Sequence, residues 1–365
     1  MATGDLTIEN STLSGNSANG VGGAIRSTPA FLGHQTINRH STLTGNDSGS
    51  QGGGFSTGGG TTTISHSLFT DNTSPTGSEN SRNGGTVILD DFNLFGDDSV
   101  TTTQALNGVT AGANDILATS NSANPTAVSS ILDTTFADNG GLTPTHALVP
   151  GSIAINSGDS GAMAGVNPIP LFDQRGSGFD RVASSSIDIG AFELQSLNLV
   201  VDTLDDESDG DYSDGDLSLR EALELANAFA GADTITFDGS LAGGEIDLSL
   251  GELTATDGLS LIRPGVDQLT IDAQRGSRVM RLSGTSTIDM SGLTLTGGTA
   301  DQGGGLRIDA NVTATLTDVS IQGNTATASG AAGGGVFNNG DLTLRDSSVT
   351  GNMATNASNA LGGGL

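Results

Sequence analysis

The densest run of carboxylates in the sequence is "DDESDGDYSDGD", residues 205–216. Asp205, Glu207, Asp209, Gly210 and Asp216 fall at positions 1, 3, 5, 6 and 12 of an EF-hand-like loop, and a helical pattern follows. Hard divalent cations take oxygen ligands in such an array. Asp205, Glu207, Asp209, Asp211 and Asp216 are therefore a candidate Ca²⁺ site that would stiffen the segment. Two features weigh against it. No helix pattern precedes the loop, and position 12 holds Asp instead of the longer, bidentate Glu. The competing reading is a solvated acidic linker in which Asp205, Asp206, Glu207, Asp209, Asp211 and Asp214 repel one another.

Three other sets of residues invite chemistry. His40 and His66 each precede an apolar position by three residues, in a column that also holds Asn10, Asp318 and Asp346. They make either a metal pair or a polar turn ladder. Asp173, Arg175, Arg181, Asp188 and Glu193 read as an acid–base cluster or, more simply, as structural ion pairs. A column of outward Thr residues would suit a flat ligand such as sugar or ice, or only the strand preference of β-branched residues.

Composition removes several classes of chemistry. All 12 basic residues are Arg, which excludes a Schiff-base or P-loop lysine. There is no Cys, hence no disulfide, thiolate or zinc–thiolate site. A net charge of −29 argues against nucleic acid and anionic membrane surfaces. No signal-peptide pattern and no apolar run of spanning length is present, so direct membrane insertion is not expected.

The elements that must position these groups are short and repetitive. The motif apolar–any–Gly/Asp–Asn recurs as "LSGN" at 13–16, "LTGN" at 43–46, "FTDN" at 69–72, "IQGN" at 321–324 and "VTGN" at 349–352. Successive Asn residues lie 30, 26 and 28 apart, a period that signals a repeat architecture. Before each motif runs a strand-type alternation. Ile8, Ile64, Met290, Leu316 and Leu344 form one inward column, and Leu6, Thr62, Ile288, Ala314 and Leu342 a second. Thr7, Thr63, Asp289, Thr315 and Thr343 between them face outward. Leu13, Leu43, Phe69, Leu295, Ile321 and Val349 form a third apolar column. Short strands, Gly- and Asn-rich turns and no room for crossover helices predict an all-β fold. It is a right-handed parallel β-helix, or β-solenoid, in two partial modules. The exception is "LSLREALELANA", residues 217–228, where Leu219, Leu223 and Ala226 share one helical face. Ser218 and Glu221 form a capping-box pair. One short α-helix is expected there, laid over the open end of a coil with Phe229.

The middle of the chain resembles known domains. "NGGLTPTHALVPGSIAINSGDSG" at 139–161 and "DQRGSGFDRVASSSIDIGAFELQ" at 173–195 are similar to the choice-of-anchor Q domain of bacterial surface β-helix proteins. The match rests on Pro150, Gly151, Ser152, Ala154 and Ile155. It continues through Asp173, Arg175, Gly176, Arg181, Asp188, Gly190, Ala191 and Glu193. "LSLREAL" at 217–223, with "AN" at 226–227 and "DTITF" at 233–237, resembles the CSLREA domain, with Leu217 at that family's Cys position. The Gly-rich coils after it resemble polymorphic outer-membrane-protein repeats. The expected organisation is 1–100, C-terminal coils of a first β-helix; 101–195, a choice-of-anchor-Q-like terminal domain; 196–217, an acidic joint; 218–232, the capping helix; 233–365, N-terminal coils of a second β-helix.

These resemblances imply a bacterial, extracellular or cell-surface repeat protein, adhesin-like or stalk-like, and a fragment of a larger tandem array. Its expected partners are glycans, a host or neighbouring-cell surface, and adjoining β-helix modules. The alternative is a polysaccharide lyase or glycoside hydrolase, since the fold alone does not decide function. Polygalacturonase-like enzymes show "GHG" and "RxK" signatures. Here Gly33–His34 is followed by Gln35, no Lys exists, and Asp90–Asp91 has only Arg82 nearby. One Tyr and no Trp leave little for sugar stacking. No catalytic residue is assigned.

Overall fold

The computed structural model describes residues 4–28, 34–89, 91–212, 215–229, 231–263, 269–327, 332–355 and 361–365. Gly33, Asp90 and Asp214 lie outside them. The chain forms a β-solenoid of about 13 stacked turns, divided into two units, Met1–Gln195 and Ser196–Leu365. Every strand pair among the described residues is parallel.

In the first unit one sheet stacks Leu6–Glu9, Gln35–Arg39, Phe55–Ser65, Asn80–Leu89 and Leu106–Asn107. A second stacks Thr12–Ser14, Thr42–Thr44, Leu68–Thr70, Leu94–Phe95 and Ile116–Leu117. Coil pairing therefore continues past residue 100, to Leu117. A one-turn helix at Thr102–Ala105 was not expected; its capping box, Thr101 with Gln104, is legible in the sequence. Residues beyond Leu117 form little regular structure. They cover a flank of the coils, where Ile131, Leu132, Leu148, Ala154, Ile189 and Phe192 pack on Leu68 and Leu94.

In the second unit the strands Ala232–Phe237, Gly258–Ile262, Thr287–Ser291, Thr313–Thr317 and Asp341–Arg345 stack in one sheet, edged by Asn198–Val201. The predicted columns hold. Met290 pairs with Leu316 and Leu316 with Leu344, while Leu295, Ile321 and Val349 align likewise. Leu344 is nevertheless 37% exposed, because its strand is the last of the stack. The first unit adds an exception. Asn38 stands in register between Ile8 and Ile64, buried in an otherwise apolar column.

Two kinds of turn set the coil. Asn10, His40, His66, Asp318 and Asp346 all have φ between 48° and 55°. Asn, Asp and His tolerate this left-handed region better than other side chains, which explains the column's composition. Gly45 and Asp71 turn the next corner with φ of 64° and 57°. The Asn that follows builds a ladder. Nδ2 of Asn16 donates to Oδ1 of Asn46, and Nδ2 of Asn46 to Oδ1 of Asn72, each at 2.8 Å. Each buried amide thereby meets the demand for a partner that burial creates.

The helix Leu219–Ala228 forms as expected, with Ser218 as N-cap and Glu221 completing the capping box. Leu219, Leu223, Ala226 and Phe229 are buried. The helix packs on Leu253–Ala255, the outermost strand of a third sheet. Its Asn227 side chain donates to the Thr254 carbonyl at 2.8 Å and accepts the Thr256 N–H at 2.7 Å. The helix thus meets backbone groups on a strand edge that has no neighbouring strand there.

Candidate functional site

The acidic segment does not extend freely into solvent. Asp206, outside the expected ligand set, is its anchor. Its carboxylate pairs with Arg220 at 2.7 Å and accepts the N–H groups of Ser249 and Leu250 at 2.6 and 2.8 Å. Burial pushes the Asp206 carboxyl up, but Arg220 and those N–H groups outweigh it and hold it below the ordinary range. Asp202 accepts the N–H groups of Gly215 and Leu217 at 2.7 and 3.0 Å. Glu221 accepts those of Asp209 and Gly210, both at 3.0 Å. The segment is folded against the start of the helix.

The candidate ligands crowd one another. Partial desolvation and then the charges of Asp216, Asp209, Asp205 and Glu221 push Glu207 up. Desolvation and then Asp211, Asp209, Glu221 and Asp202 push Asp216 up. Asp205 caps its own turn with Thr203, and Asp209 accepts the Asp211 N–H at 2.9 Å. Among the described residues, however, these five do not supply three ligand atoms within 4.8 Å of one another; Glu245, Asp247 and Asp272 do. Glu245 and Asp247 project from one face of one strand, and register places Asp272 beside Asp247 one coil on. The alternating acids in "GEIDL" were a visible signal. Asp272, 25 residues later, becomes their neighbour only through strand pairing.

The His pair belongs to the turn column. The His40 and His66 rings lie 5.0 Å apart, and His66 stacks on Phe92 at 5.4 Å. Burial first, then the charges of Arg181, His66 and Arg39, lower the His40 pKa to about 2. His40 is neutral in the folded protein at any ordinary pH.

The acid–base cluster of the flank is buried. Arg175 forks onto Asp173, with Nη2 at 2.7 Å and Nε at 3.0 Å, and also donates to the Glu193 carbonyl. Its guanidinium lies 4.0 Å from the Phe179 ring centre and 3.8 Å from that of Phe192. Arg181 is fully buried and donates to the carbonyls of Asp188 and Gly190 at 2.7 and 2.8 Å. Its Nη2 lies 3.8 Å from Glu193. Burial, then the Asp188 charge, drives Glu193 upward against the pull of Arg181. The carboxylates hold the segment's own N–H groups. Asp188 takes those of Asn156 and Leu194, and Glu193 those of Ala183 and Asp188. These are fold-fixing bonds, with carboxylate oxygens spent on the backbone.

His146, which the sequence reading did not single out, joins the flank to the first coil. Its Nε2 lies 2.8 Å from Ser14 Oγ and its Nδ1 2.8 Å from the Asp133 carbonyl. The carbonyl fixes the proton on Nδ1, so Nε2 accepts from Ser14. Comparison with protein-family models, with curated proteins and with solved structures returned no match.

Proposed function

We propose that this chain is a non-enzymatic repeat protein of the bacterial exterior, adhesin-like or stalk-like, part of a tandem array of β-helix modules that adjoin one another and contact glycans or another cell's surface. The observation that carries the reading is where the charged groups go. The acid–base cluster and the Asp206–Arg220 pair hold backbone and helix in place, and the exposed strand faces present Thr, Ser and Asp ladders. The resemblance of 139–195 to the choice-of-anchor Q domain and of 217–237 to the CSLREA domain supports the cellular setting.

The test has two arms. The purified chain is incubated with pectin, alginate and other acidic glycans. No reducing ends and no ultraviolet-absorbing unsaturated products are expected; their release at enzyme-like rates would establish the lyase or hydrolase alternative. Protease shaving of intact source cells should release the chain, and its retention inside the cells would overturn the surface reading.

Ca²⁺ at Asp205, Glu207, Asp209, Asp211 and Asp216 belongs to the same proposal, since the mutual repulsion of Glu207 and Asp216 is what a cation relieves. Extracellular Ca²⁺ modules bind at about 10⁻⁴–10⁻³ M, so millimolar Ca²⁺ should raise the melting temperature modestly. Asp205→Ala with Asp209→Ala should abolish the rise. No calorimetric heat and no shift would leave an acidic segment held by protein contacts alone.

A further inference from the structure

Two faces of the stacked coils lack strand partners. At the last coil of the second unit, Asp341–Arg345, Ser348–Thr350 and Met353–Ala354 are paired on one side only. Met353, Leu361 and Leu365 are 53%, 67% and 57% exposed there. At the first coil of the first unit, Leu6–Glu9, Thr12–Ser14 and Ser17–Ala18 are edge strands too. An uncovered parallel edge is a template for another chain.

The two faces match in three respects. The first is spacing. Leu342, Leu344, Asp346, Val349, Gly351 and Asn352 repeat the intervals of Leu6, Ile8, Asn10, Leu13, Gly15 and Asn16. The left-handed turns coincide, with φ of 49° at Asp346 and 48° at Asn10, 61° at Gly351 and 67° at Gly15.

The second is hydrogen-bond polarity. Within the stacks the turn residues donate toward the following coil. The Asn10 N–H meets the Arg39 carbonyl at 3.3 Å, and the Asp318 N–H meets that of Arg345 at 3.0 Å. The Gly15 N–H meets the Thr44 carbonyl at 3.3 Å, and the Gly323 N–H meets that of Thr350 at 3.4 Å. The Asn324 N–H meets Oδ1 of Asn352 at 2.9 Å. By the same geometry Asp346, Gly351 and Asn352 direct their N–H groups out of the last coil. The groups that accept at these positions are, on the first coil, the Glu9 and Ser14 carbonyls and Oδ1 of Asn16. One face presents donors where the other presents acceptors.

The third is charge. The shared register sets Arg345 against Glu9. That repeats the pair already formed inside the first unit, where Glu9 lies opposite Arg39 with its carboxylate 3.0 Å from the guanidinium. The one like-charge step is Asp341 on Asp5. Asp5 accepts the Gln35 N–H of its following coil at 2.9 Å, and Asp341 is placed to accept the Asp5 N–H in the same way.

We propose that the last coil of one copy stacks, parallel and in register, on the first coil of a second copy, with Asp341–Asn352 on Asp5–Asn16. Such an interface is heterologous and does not close on itself, so copies add head to tail in an open row. The proposal stands apart from the cell-surface reading and from any glycan ligand.

The test is sedimentation velocity on the 365-residue chain over a wide concentration range. The parent should form a concentration-dependent series of dimers and longer rows. Arg345→Glu sets like charges against each other at the junction and should weaken association about tenfold or more. Leu13→Arg blocks the other face. Each variant alone should be monomeric, while a mixture of the two should give a one-to-one dimer and nothing longer, because each retains one competent face. If circular dichroism shows that Leu13→Arg disturbs the first coil, the exposed Asn16→Arg takes its place. A parent that stays monomeric throughout, or a single variant that dimerises as well as the parent, would overturn the proposal.

Discussion

Inside the first unit the positions that should be apolar include Thr36, Asn38, Thr62 and Glu79, all buried. Inside the second, the corresponding strands bury Leu259, Leu261, Ile288, Met290 and Leu316. The protection differs as well. The first unit's coils are covered along a flank by an irregular segment carrying a buried ion network. The second unit's outer edge is covered by an amphipathic helix and Asp206. The contrast teaches that a coil's backbone ladder fixes its shape, while the interior tolerates polar residues wherever hydrogen bonds or neutral protonation states accommodate them.

The largest effect expected from breaking one side of this comparison is at Arg181. Arg181→Met leaves Glu193 buried without its cation, and truncating one partner of a buried pair costs about 3–5 kcal/mol. Hydrogen exchange should show protection lost across 131–193, with the second unit unchanged. The second unit should instead be most sensitive in its apolar column. Leu316→Ala should cost about 2–4 kcal/mol by denaturant unfolding. Leu344→Ala should cost well under half as much, since Leu344 lies on the open coil.

The third prediction concerns pH in the first unit. Burial drives the Glu79 carboxyl well above its usual range, so the folded state keeps a proton that the unfolded state releases. Its contribution is complete below pH 4.5 and is lost as pH rises. His40 works in the opposite sense. Its folded pKa of about 2 lies below 6.5, so its contribution is present above pH 6.5 and lost as pH falls. Glu79→Gln should stabilise the first unit at pH 8 by about 1–3 kcal/mol and change little at pH 4. His40→Asn, compatible with the left-handed turn, should flatten the acid limb. Thermal melts from pH 4 to pH 8 check both, and parallel limbs in variant and parent would count against these assignments.

The smallest effect separates the helix cap from the flank. Ser218→Ala removes the N-cap oxygen and should cost the second unit about 1 kcal/mol. Asn227→Ala should cost a similar amount by leaving the Thr254 and Thr256 backbone groups unmet. Neither change should move the first unit's unfolding.

Much of this was legible in the residues. Period-two alternation identified the inward columns because a strand has only two faces. The Asn, Asp and His column was readable because few side chains accept a left-handed turn. The helix was readable from one apolar face and one capping box. Asn38 was not, since nothing local marks a polar residue that a neighbouring coil will enclose. The acidic segment was read as ligands or free linker because its partners, the N–H groups of Ser249 and Leu250, lie more than 40 residues from Asp206.

By itself, then, the sequence determined the repeat, its strand faces and its turns, because these depend on steric limits acting within a few residues of chain. Which carboxylates meet was decided only by the tertiary structure. Register stacks Asp247 on Asp272, the helix draws Asp206 to Arg220, and the flank buries Glu193 against Arg181. Charges act through space and burial, and neither distance nor burial is written in the order of the residues.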